Sequence, residues 1–172
     1  MNLKKRIREV ADFPKPGISF KDLTTLFKDH EALRFSAKAI IDEFQNKNVT
    51  KVLGIESRGF IVGGTVAYEL GAGFVPVRKK GKLPAETIWE TYELEYGTDS
   101  VEIHSDALTR DDVVLIHDDL LATGGTAYAT LQLVKRAGVK KIYFSFICDL
   151  EFIDSEKKEK IKEYKTQVLV KY

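Results

Sequence analysis

Apolar and amphipathic stretches alternate along most of the chain. Four short, mostly apolar runs predict buried strands, at residues 51–55, 73–79, 112–117 and 141–150. Between them, apolar residues three or four positions apart predict helices, over residues 29–47, 59–71 and 126–138. Buried strands that alternate with helices favour an α/β fold with a mostly parallel sheet.

Three other parts of the chain depart from this alternation. Residues 3–10 predict a short amphipathic helix, with Leu3, Ile7 and Val10 on one face. Two prolines and a glycine then predict a fixed, non-helical segment in "DFPKPGISFKDLT". Alternating residues from Thr87 predict a β-hairpin that turns at Gly97–Ser100, and the chain finishes in a charged helix and a last strand.

The turns after three of the predicted strands are polar. They are Glu56–Phe60, Arg78–Lys82 and Asp118–Thr126. Parallel sheets bind ligands beyond the carboxyl ends of their strands. We therefore expect the three turns to converge on one edge of the sheet and to form a site there.

The last of these turns carries two adjacent carboxylates and two adjacent glycines. Asp118 and Asp119 follow the strand, and residues 122–126 (Ala-Thr-Gly-Gly-Thr) lead into a helix. Backbone N–H groups and the helix dipole favour an anion there, and the two glycines allow it close to the backbone. Carboxylates repel a phosphate, so we expect them to bind sugar hydroxyls or a divalent cation. A ribose 5-phosphate fits both halves of this turn.

Composition, charge and cysteine content narrow the classes of function. The chain has 172 residues, enough for one domain, and its net charge of +1 gives no overall field that would indicate a nucleic-acid partner. The single cysteine, Cys148, lies in an apolar run and is expected to be a small buried side chain. The sequence shows no secretion signal, no membrane-spanning run and neither common glycine-rich nucleotide motif, so we expect a cytoplasmic protein without membrane contact.

A resemblance to type I phosphoribosyltransferases is carried by the string "VVLIHDDLLATGGT". Further segments resemble motifs of the adenine-using branch of that family, in the same order: "DFPKPGISFKDLT", "GIESRGF", "VRKKGKLPAET" and "YELEYG". The resemblance covers most of residues 6–150. It implies one α/β domain over residues 1–172, with a central, mostly parallel sheet flanked by helices. Within that domain it implies a small N-terminal base-binding hood over 1–28 and a flexible catalytic hairpin over 79–108.

The resemblance also implies a reaction, a cofactor and partners. The enzyme would transfer the 5-phosphoribosyl group from phosphoribosyl pyrophosphate to adenine and give AMP and pyrophosphate. Mg²⁺ would be held through the substrate, near Asp118 and Asp119, and not by a protein site of its own. A homodimer is expected, with no nucleic-acid and no membrane partner.

Roles for individual residues follow from the same resemblance. The ribose 5-phosphate would be bound by Asp118, Asp119, Ala122, Thr123, Gly124, Gly125 and Thr126. The pyrophosphate would be bound by Ser57, Arg58, Arg78, Lys79 and Lys82. The base would be bound by Ser19, Phe20 and Lys21. The catalytic residues would be Glu95, Tyr96 and Arg58. In these roles the Phe20 ring stacks on the base, and the Glu95 carboxylate manages the purine proton.

Two other functions stay open on the sequence. A related enzyme would use an oxo-purine such as hypoxanthine, guanine or xanthine, although "PGISFKD" and "YELEYG" argue against it. A non-catalytic regulator of the same fold would sense phosphoribosyl pyrophosphate and bind nucleic acid. Such a regulator needs an added DNA-binding domain or a strongly basic face, for which the chain has neither the length nor the charge.

Two residues depart from the family pattern, and one segment has no assigned role. His117 stands where the family usually has an apolar residue, and we expect it to be a satisfied neighbour of the aspartate pair. Ser19 also stands where an apolar residue is more common. The charged helix over 155–163 is expected to be a solvated cap.

Overall fold

The computed structural model describes residues 1–94 and 97–172. Its strands are β1 Arg8–Ala11, β2 Ser19–Asp22, β3 Lys51–Ile55, β4 Gly73–Lys79, β5 Thr87–Glu93, β6 Thr98–His104, β7 Val113–Leu121, β8 Lys141–Asp149 and β9 Thr166–Lys171. Its α-helices are α1 Thr24–Phe27, α2 His30–Phe44, α3 Gly59–Leu70, α4 Gly125–Arg136 and α5 Glu156–Lys162. A short 3-10 helix covers Leu3–Arg6.

A seven-stranded sheet of order β5-β6-β4-β3-β7-β8-β9 forms the centre of the fold. Strands β4, β3, β7, β8 and β9 run parallel, and the β5–β6 hairpin extends the sheet in antiparallel fashion. Along β7, Val114 and Ile116 pack on the face covered by α4, whereas Val113 and Leu115 pack on the face covered by α2 and α3. The predicted α/β fold with a mostly parallel sheet is confirmed.

The helix boundaries follow local signals in the sequence. Asp29 caps α2, because its carboxylate accepts hydrogen bonds from the N–H groups of Glu31 and Ala32, each at 3.1 Å. Helix α3 ends at Gly71, whose φ of +65° suits a residue without a side chain. In the described residues, no helix is both long and apolar enough to cross a membrane.

The predicted helix over residues 3–10 is wrong. The 3-10 helix stops at Arg6, and Val10 lies in β1, where it pairs with Phe20 of β2. The proline-containing segment turns the chain back on itself, and the Gly17 N–H closes that turn on the Asp12 carboxylate at 2.7 Å. Strand pairing therefore replaces helical hydrogen bonds in this part of the chain.

The hairpin turns earlier than the alternation predicts. The Leu94 N–H donates to the Gly97 carbonyl at 3.0 Å, and β6 already begins at Thr98. This register places Tyr92 opposite Asp99. Both side chains contact the Lys79 amine, so a three-residue polar cluster fixes the register.

Candidate active site

Three polar turns lie at the carboxyl ends of neighbouring parallel strands. Strand β3 pairs with β4 on one side and with β7 on the other. The turns that follow these three strands therefore open on the same edge of the sheet, as the strand pattern predicts. This edge is the candidate active site.

The turn after β3 is packed tightly against the end of β7. The peptide between Glu56 and Ser57 is cis, and helix α3 begins two residues later at Gly59. A Cβ atom at Gly59 would lie 2.9 Å from the His117 carbonyl oxygen and 3.2 Å from Oδ1 of Asp118. Glycine is required here because any side chain would push α3 away from the two aspartates.

Glu56 gathers the cations of the turn after β4. Its carboxylate accepts hydrogen bonds from the Lys79 N–H at 2.8 Å and from the Lys82 amine at 2.7 Å, and the Arg78 guanidinium lies at 3.4 Å. Burial alone would raise the pKa of Glu56, but these hydrogen bonds and charges outweigh it and lower the pKa to about 2. The carboxylate thus holds Arg78 and Lys82 beside Ser57.

No role was predicted for Glu56 from the sequence. The signal that could have found it is the run Arg78, Lys79, Lys80 and Lys82, because clustered cations at a strand end need a counter-charge nearby. A glutamate that leaves the neighbouring parallel strand is well placed to supply that charge.

The Lys79 side chain points towards the hairpin and not towards Glu56. Its amine contacts the Asp99 carboxylate and the Tyr92 hydroxyl in the hairpin. Burial would lower the pKa of Lys79, but the hydrogen bonds to Asp99 and Tyr92 raise it above the ordinary value. The Lys79 side chain is therefore engaged by the hairpin, and only its backbone N–H contacts Glu56.

The two adjacent aspartates lie inside β7 and not beyond it. The prediction that the chain leaves the strand at Asp118 is wrong, because β7 continues to Leu121 by pairing with β8. Burial raises the pKa of Asp118 well above its ordinary value, and the charge of Asp119 adds to this effect. Burial also raises the pKa of Asp119, although Arg58 opposes it. Nε of Arg58 lies 2.8 Å from Oδ2 of Asp119, so the turn after β3 reaches the acidic pair directly.

His117 is buried beneath the acidic pair. Its Nδ1 lies 2.9 Å from Oγ of Ser145, and its Nε2 has no hydrogen-bond partner among the described residues. Burial lowers the pKa of His117 to about 4, so the imidazole is neutral near physiological pH. The sequence predicts a satisfied neighbour of the aspartate pair, and only Nδ1 meets that prediction, through Ser145 of β8.

The turn over residues 122–126, here called the glycine turn, leads directly into α4. Gly124 has a φ of +76°, a left-handed conformation that glycine adopts without strain. Helix α4 begins at Gly125, and its first intrahelical bond runs from the Tyr128 N–H to the Gly124 carbonyl at 2.8 Å. The N–H groups of residues 125–127 have no carbonyl partner within the helix. The Gly125 N–H donates to Oγ1 of Thr123 at 3.4 Å, and the N–H groups of Thr126 and Ala127 are available to an anion.

The hairpin packs beside this turn. A Cβ atom at Gly125 would lie 3.3 Å from the ring of Tyr92 in β5, and the Arg136 guanidinium of α4 donates to the Trp89 carbonyl at 3.0 Å. Strand β5 therefore borders the turn over residues 122–126, which is predicted to bind phosphate. The predicted catalytic residues Glu95 and Tyr96 lie outside the described residues.

The predicted base-binding segment forms strand β2 of the small two-stranded sheet. The Phe20 ring packs edge-to-face on Phe13, with 5.2 Å between the ring centroids. The Ser19 hydroxyl and the Lys21 amine both contact the Glu9 carboxylate, at 3.2 and 2.8 Å. These two side chains are thus occupied within the small two-stranded sheet. Since β1 is the one strand that pairs with β2 in the part of the chain that the structure describes, half of the backbone groups of β2 face away from that partner.

The acidic pair fits a magnesium ion only with help from a substrate. Among residues 1–94 and 97–172, no group of three or more His, Cys, Asp or Glu side chains is arranged to hold a metal. Asp118 and Asp119 offer carboxylate oxygens, the donors that Mg²⁺ prefers, but Asp119 already contacts Arg58. The remaining ligands would have to be water and oxygens of the bound substrate.

Cys148 has no part in this site. It is buried in β8, and burial raises the pKa of its thiol to about 12. The thiol is therefore protonated at ordinary pH and is a poor nucleophile.

The chain matches a known family over most of its length. Residues 23–170 match the phosphoribosyl transferase domain family. An adenine phosphoribosyltransferase from Methylobacillus flagellatus is 52% identical over 172 residues, which cover 100% of this chain and 98% of that protein.

Two solved structures share the fold over almost the whole chain. The crystal structure of an adenine phosphoribosyltransferase from Rhodothermus marinus has a TM-score of 0.89 at 49% identity and covers 99% of this chain and 96% of that chain. The enzyme from Giardia lamblia, complexed with 9-deazaadenine, has a TM-score of 0.91 at 39% identity, with coverages of 99% and 96%. The sheet edge, the glycine turn and these matches agree, and the chain belongs to the adenine phosphoribosyltransferase family of type I phosphoribosyltransferases.

Proposed function

We propose that this protein transfers the 5-phosphoribosyl group of phosphoribosyl pyrophosphate to adenine and releases AMP and pyrophosphate. The observation that carries the proposal is the contact between Arg58 and Asp119, which joins a cationic turn to a carboxylate beside an anion-binding turn. A donor with a phosphate at one end of a ribose and a pyrophosphate at the other matches this order of groups. The relatives carry this activity in their names, and the Giardia enzyme is complexed with an adenine analogue.

The ribose 5-phosphate binds at the end of β7. Residues 122–126 hold the phosphate with the N–H groups at the start of α4 and with the hydroxyls of Thr123 and Thr126. Asp118 and Asp119 accept hydrogen bonds from the ribose hydroxyls. The raised pKa of both carboxyls supports this role, because a buried carboxylate pair gains from hydroxyl donors or a cation.

The pyrophosphate binds between the turns after β3 and β4. Arg58 and the peptides around Ser57 contact it on one side, and Arg78 and Lys82, held by Glu56, contact it on the other. Lys79 was also predicted to bind here, and its contacts with Asp99 and Tyr92 support an indirect part through the hairpin.

The reaction breaks the bond between the anomeric carbon and a pyrophosphate oxygen and forms a bond between that carbon and the attacking nitrogen of adenine. Positive charge develops on the ribose and negative charge on the departing pyrophosphate, so fixed carboxylates and cations on opposite sides stabilise the transition state. Mg²⁺, when bound through the substrate beside Asp118 and Asp119, supplies further neutralisation of the pyrophosphate oxygens. Through its contact with Asp119, Arg58 links the ribose subsite to the pyrophosphate subsite.

The hood and the hairpin complete the site around the base. Phe20 stacks on adenine, and backbone groups of β2 read its amino edge, since the side chains of Ser19 and Lys21 are engaged with Glu9. Glu95 acts as the general acid–base group for the proton of the attacking purine nitrogen, and Tyr96 packs beside it. Closure of the hairpin excludes water from the site. One domain over 1–172, with its hood over 1–28 and hairpin over 79–108, is part of the proposal.

The homodimer and the cytoplasmic location stay predictions from the sequence. Size-exclusion chromatography with light scattering tests the dimer, for which a mass of twice the 19.5 kDa chain is expected.

The decisive experiment measures pyrophosphate release with phosphoribosyl pyrophosphate, Mg²⁺ and one base at a time. Adenine alone is expected to support turnover, with hypoxanthine, guanine, xanthine and uracil as comparison bases. Turnover with an oxo-purine would keep the phosphoribosyl site and overturn the base assignment. Binding of phosphoribosyl pyrophosphate without turnover of any base would instead favour the non-catalytic sensor.

A further inference from the structure

The C-terminal helix α5 is anchored in the protein and is not a solvated cap. The Lys158 side chain is only 1% exposed, and its amine pairs with Oδ1 of Asp149 at 2.5 Å. The same amine donates to the Leu150 carbonyl at 2.6 Å. Ile161, one turn further along α5, is fully buried in the core beside α4. The predicted cap is therefore wrong, because a lysine and an isoleucine from the charged run both pack inward.

This anchored helix lies directly against the glycine turn. A Cβ atom at Gly124 would be 3.3 Å from the backbone nitrogen of Lys158 and 3.1 Å from the side chain of Ile161. Helix α5 therefore packs directly behind Gly124. A movement of α5 would change the shape of this turn.

One hydroxyl joins the two segments. Oγ of Ser155 donates a hydrogen bond to the Thr123 carbonyl. The same oxygen accepts a hydrogen bond from the Lys158 N–H at 3.0 Å and so caps α5. The Ser155 hydroxyl thus donates its single proton to the glycine turn and accepts a hydrogen bond from its own helix.

The direction of this bond matters for the anion site. The peptide between Thr123 and Gly124 is trans, so its carbonyl and its N–H point in opposite directions. With the carbonyl fixed towards Ser155, the Gly124 N–H points away from Ser155. Gly124 has a left-handed φ and lacks a side chain, so without a fixed carbonyl this peptide is free to rotate.

We propose that Ser155 is a positioning residue for the phosphate-binding turn. Its hydroxyl holds the Thr123–Gly124 peptide in the orientation that presents the Gly124 N–H to the 5-phosphate. The Lys158–Asp149 pair keeps Ser155 in place by fixing α5 to the end of β8. This inference rests on the proposed function, since it assigns the bound group as the ribose 5-phosphate.

Three variants of Ser155 separate a role in the anion site from a role in helix capping. Ser155→Thr keeps both the hydroxyl donor and the cap. Ser155→Gly removes the hydroxyl but costs helix capping little, whereas Ser155→Ala removes both. Ser36→Ala is the matched control, because that buried hydroxyl also donates to a backbone carbonyl, Ala32 at 2.8 Å, but lies in α2.

The measured quantities are the Kd for ribose 5-phosphate by calorimetry, the KM values for both substrates and the midpoint of thermal unfolding. Loss of one neutral hydrogen bond is expected to weaken ribose 5-phosphate binding about three- to tenfold in both Ser155→Gly and Ser155→Ala. The KM for phosphoribosyl pyrophosphate should rise in parallel and the KM for adenine should stay unchanged. Ser155→Thr and Ser36→Ala should bind ribose 5-phosphate like the wild type.

Two results would overturn the proposal. One is a Kd in Ser155→Gly equal to that of the wild type while Ser155→Ala is weaker, because binding would then follow helix stability. The other is a similar rise of both KM values, which would indicate a general loss of structure. A wild-type protein that binds ribose 5-phosphate but turns over no base would defeat the proposed function and leave the calorimetric test of Ser155 valid. A wild-type protein that does not bind ribose 5-phosphate would overturn both.

Discussion

Nε of Arg58 lies 2.8 Å from Oδ2 of Asp119, so one ion pair connects the turn after β3 with the acidic end of β7. The Asp119 side chain is almost fully buried, and the Arg58 side chain is about one-third exposed. Arg58 therefore neutralises a buried carboxylate with one nitrogen and keeps the other nitrogens of its fork for a ligand.

Arg58→Lys tests whether the fork is needed. Lysine keeps the charge but has a single nitrogen, which cannot contact Asp119 and a pyrophosphate oxygen in the same planar geometry. We expect kcat/KM for phosphoribosyl pyrophosphate to fall about ten- to hundredfold in steady-state assays. Arg34→Lys on the exposed side of α2 is the control and should have wild-type kinetics. Wild-type kinetics in Arg58→Lys would mean that charge alone suffices.

Asp118→Asn is expected to stabilise the unliganded protein and to impair it as an enzyme. The pKa of Asp118 is raised from 3.8 in the folded state, so the folded protein loses stability relative to the unfolded chain as pH rises above 3.8. The amide removes this penalty and should raise the free energy of unfolding by on the order of 1 kcal/mol at neutral pH. Ribose binding should weaken because a carboxylate acceptor is lost.

Urea unfolding of Asp118→Asn at neutral pH and below pH 3.8 provides the measurement. The stabilisation should disappear in acid, because the wild-type carboxyl is then protonated in both states. Asp42→Asn, at an exposed residue paired with Lys38, should change little at either pH. A less stable Asp118→Asn at neutral pH would contradict the repulsion between the two aspartates.

Glu56→Gln should weaken both the acid dependence of stability and the activity. The folded pKa of Glu56 is about 2 and the ordinary value is 4.5, so its stabilisation is complete above 4.5 and is lost as pH falls towards 2. Near neutral pH the ionised Glu56 carboxylate contributes up to about 3 kcal/mol to the free energy of unfolding. Arg78 and Lys82 also lose their counter-charge, and the KM for phosphoribosyl pyrophosphate should rise.

The check for Glu56→Gln is a series of unfolding curves from neutral pH down to the acid limit. Wild type and variant should converge in acid, where the wild-type carboxyl becomes protonated. Glu69→Gln, on the exposed side of α3, is the control and should follow the wild type at every pH. Parallel curves for Glu56→Gln and the wild type would refute this role of Glu56.

Two glycines of α3 should respond in opposite ways to alanine. In Gly59→Ala, the new Cβ would approach the His117 carbonyl to 2.9 Å, so α3 or β7 must shift, at a cost of about 2 kcal/mol. In Gly64→Ala, the new Cβ meets nothing within 4 Å, and the better helix former should add up to about 1 kcal/mol of stability. Thermal and urea unfolding distinguish them, and equal effects would be inconsistent with close packing at Gly59.

Local patterns predicted the elements of the fold well, but not every contact of the site. Strand β3 and the Asp29 cap follow from periodicity and capping alone. The end of β7 was misplaced because polar residues such as Asp118 usually mark a strand end, whereas here pairing with β8 continues through them. The contact of Arg58 with Asp119 depends on which strands are neighbours, which no local pattern specifies.

Lys79 and Lys158 also show which side-chain contacts a local sequence pattern can predict. Arg78 and Lys79 are adjacent in a strand and must point to opposite faces, so the different fate of Lys79 could have been predicted. Lys158 could not, because it lies in a run of charged residues that is typical of a solvated helix. Only the position of Asp149 at the end of β8 decides which lysine of that run is buried.

The order β4-β3-β7 also fixes the distance between the turns that follow β4 and β7. Adjacent strands lie about 4.8 Å apart, so the turns after β4 and β7 are separated by about 10 Å, with the turn after β3 between them. That spacing is set by backbone hydrogen bonds and does not depend on any side chain of the site. A donor whose two anionic ends are one sugar apart can reach both turns at once. A shorter phosphate ester can occupy only one of them, whatever residues line the pocket.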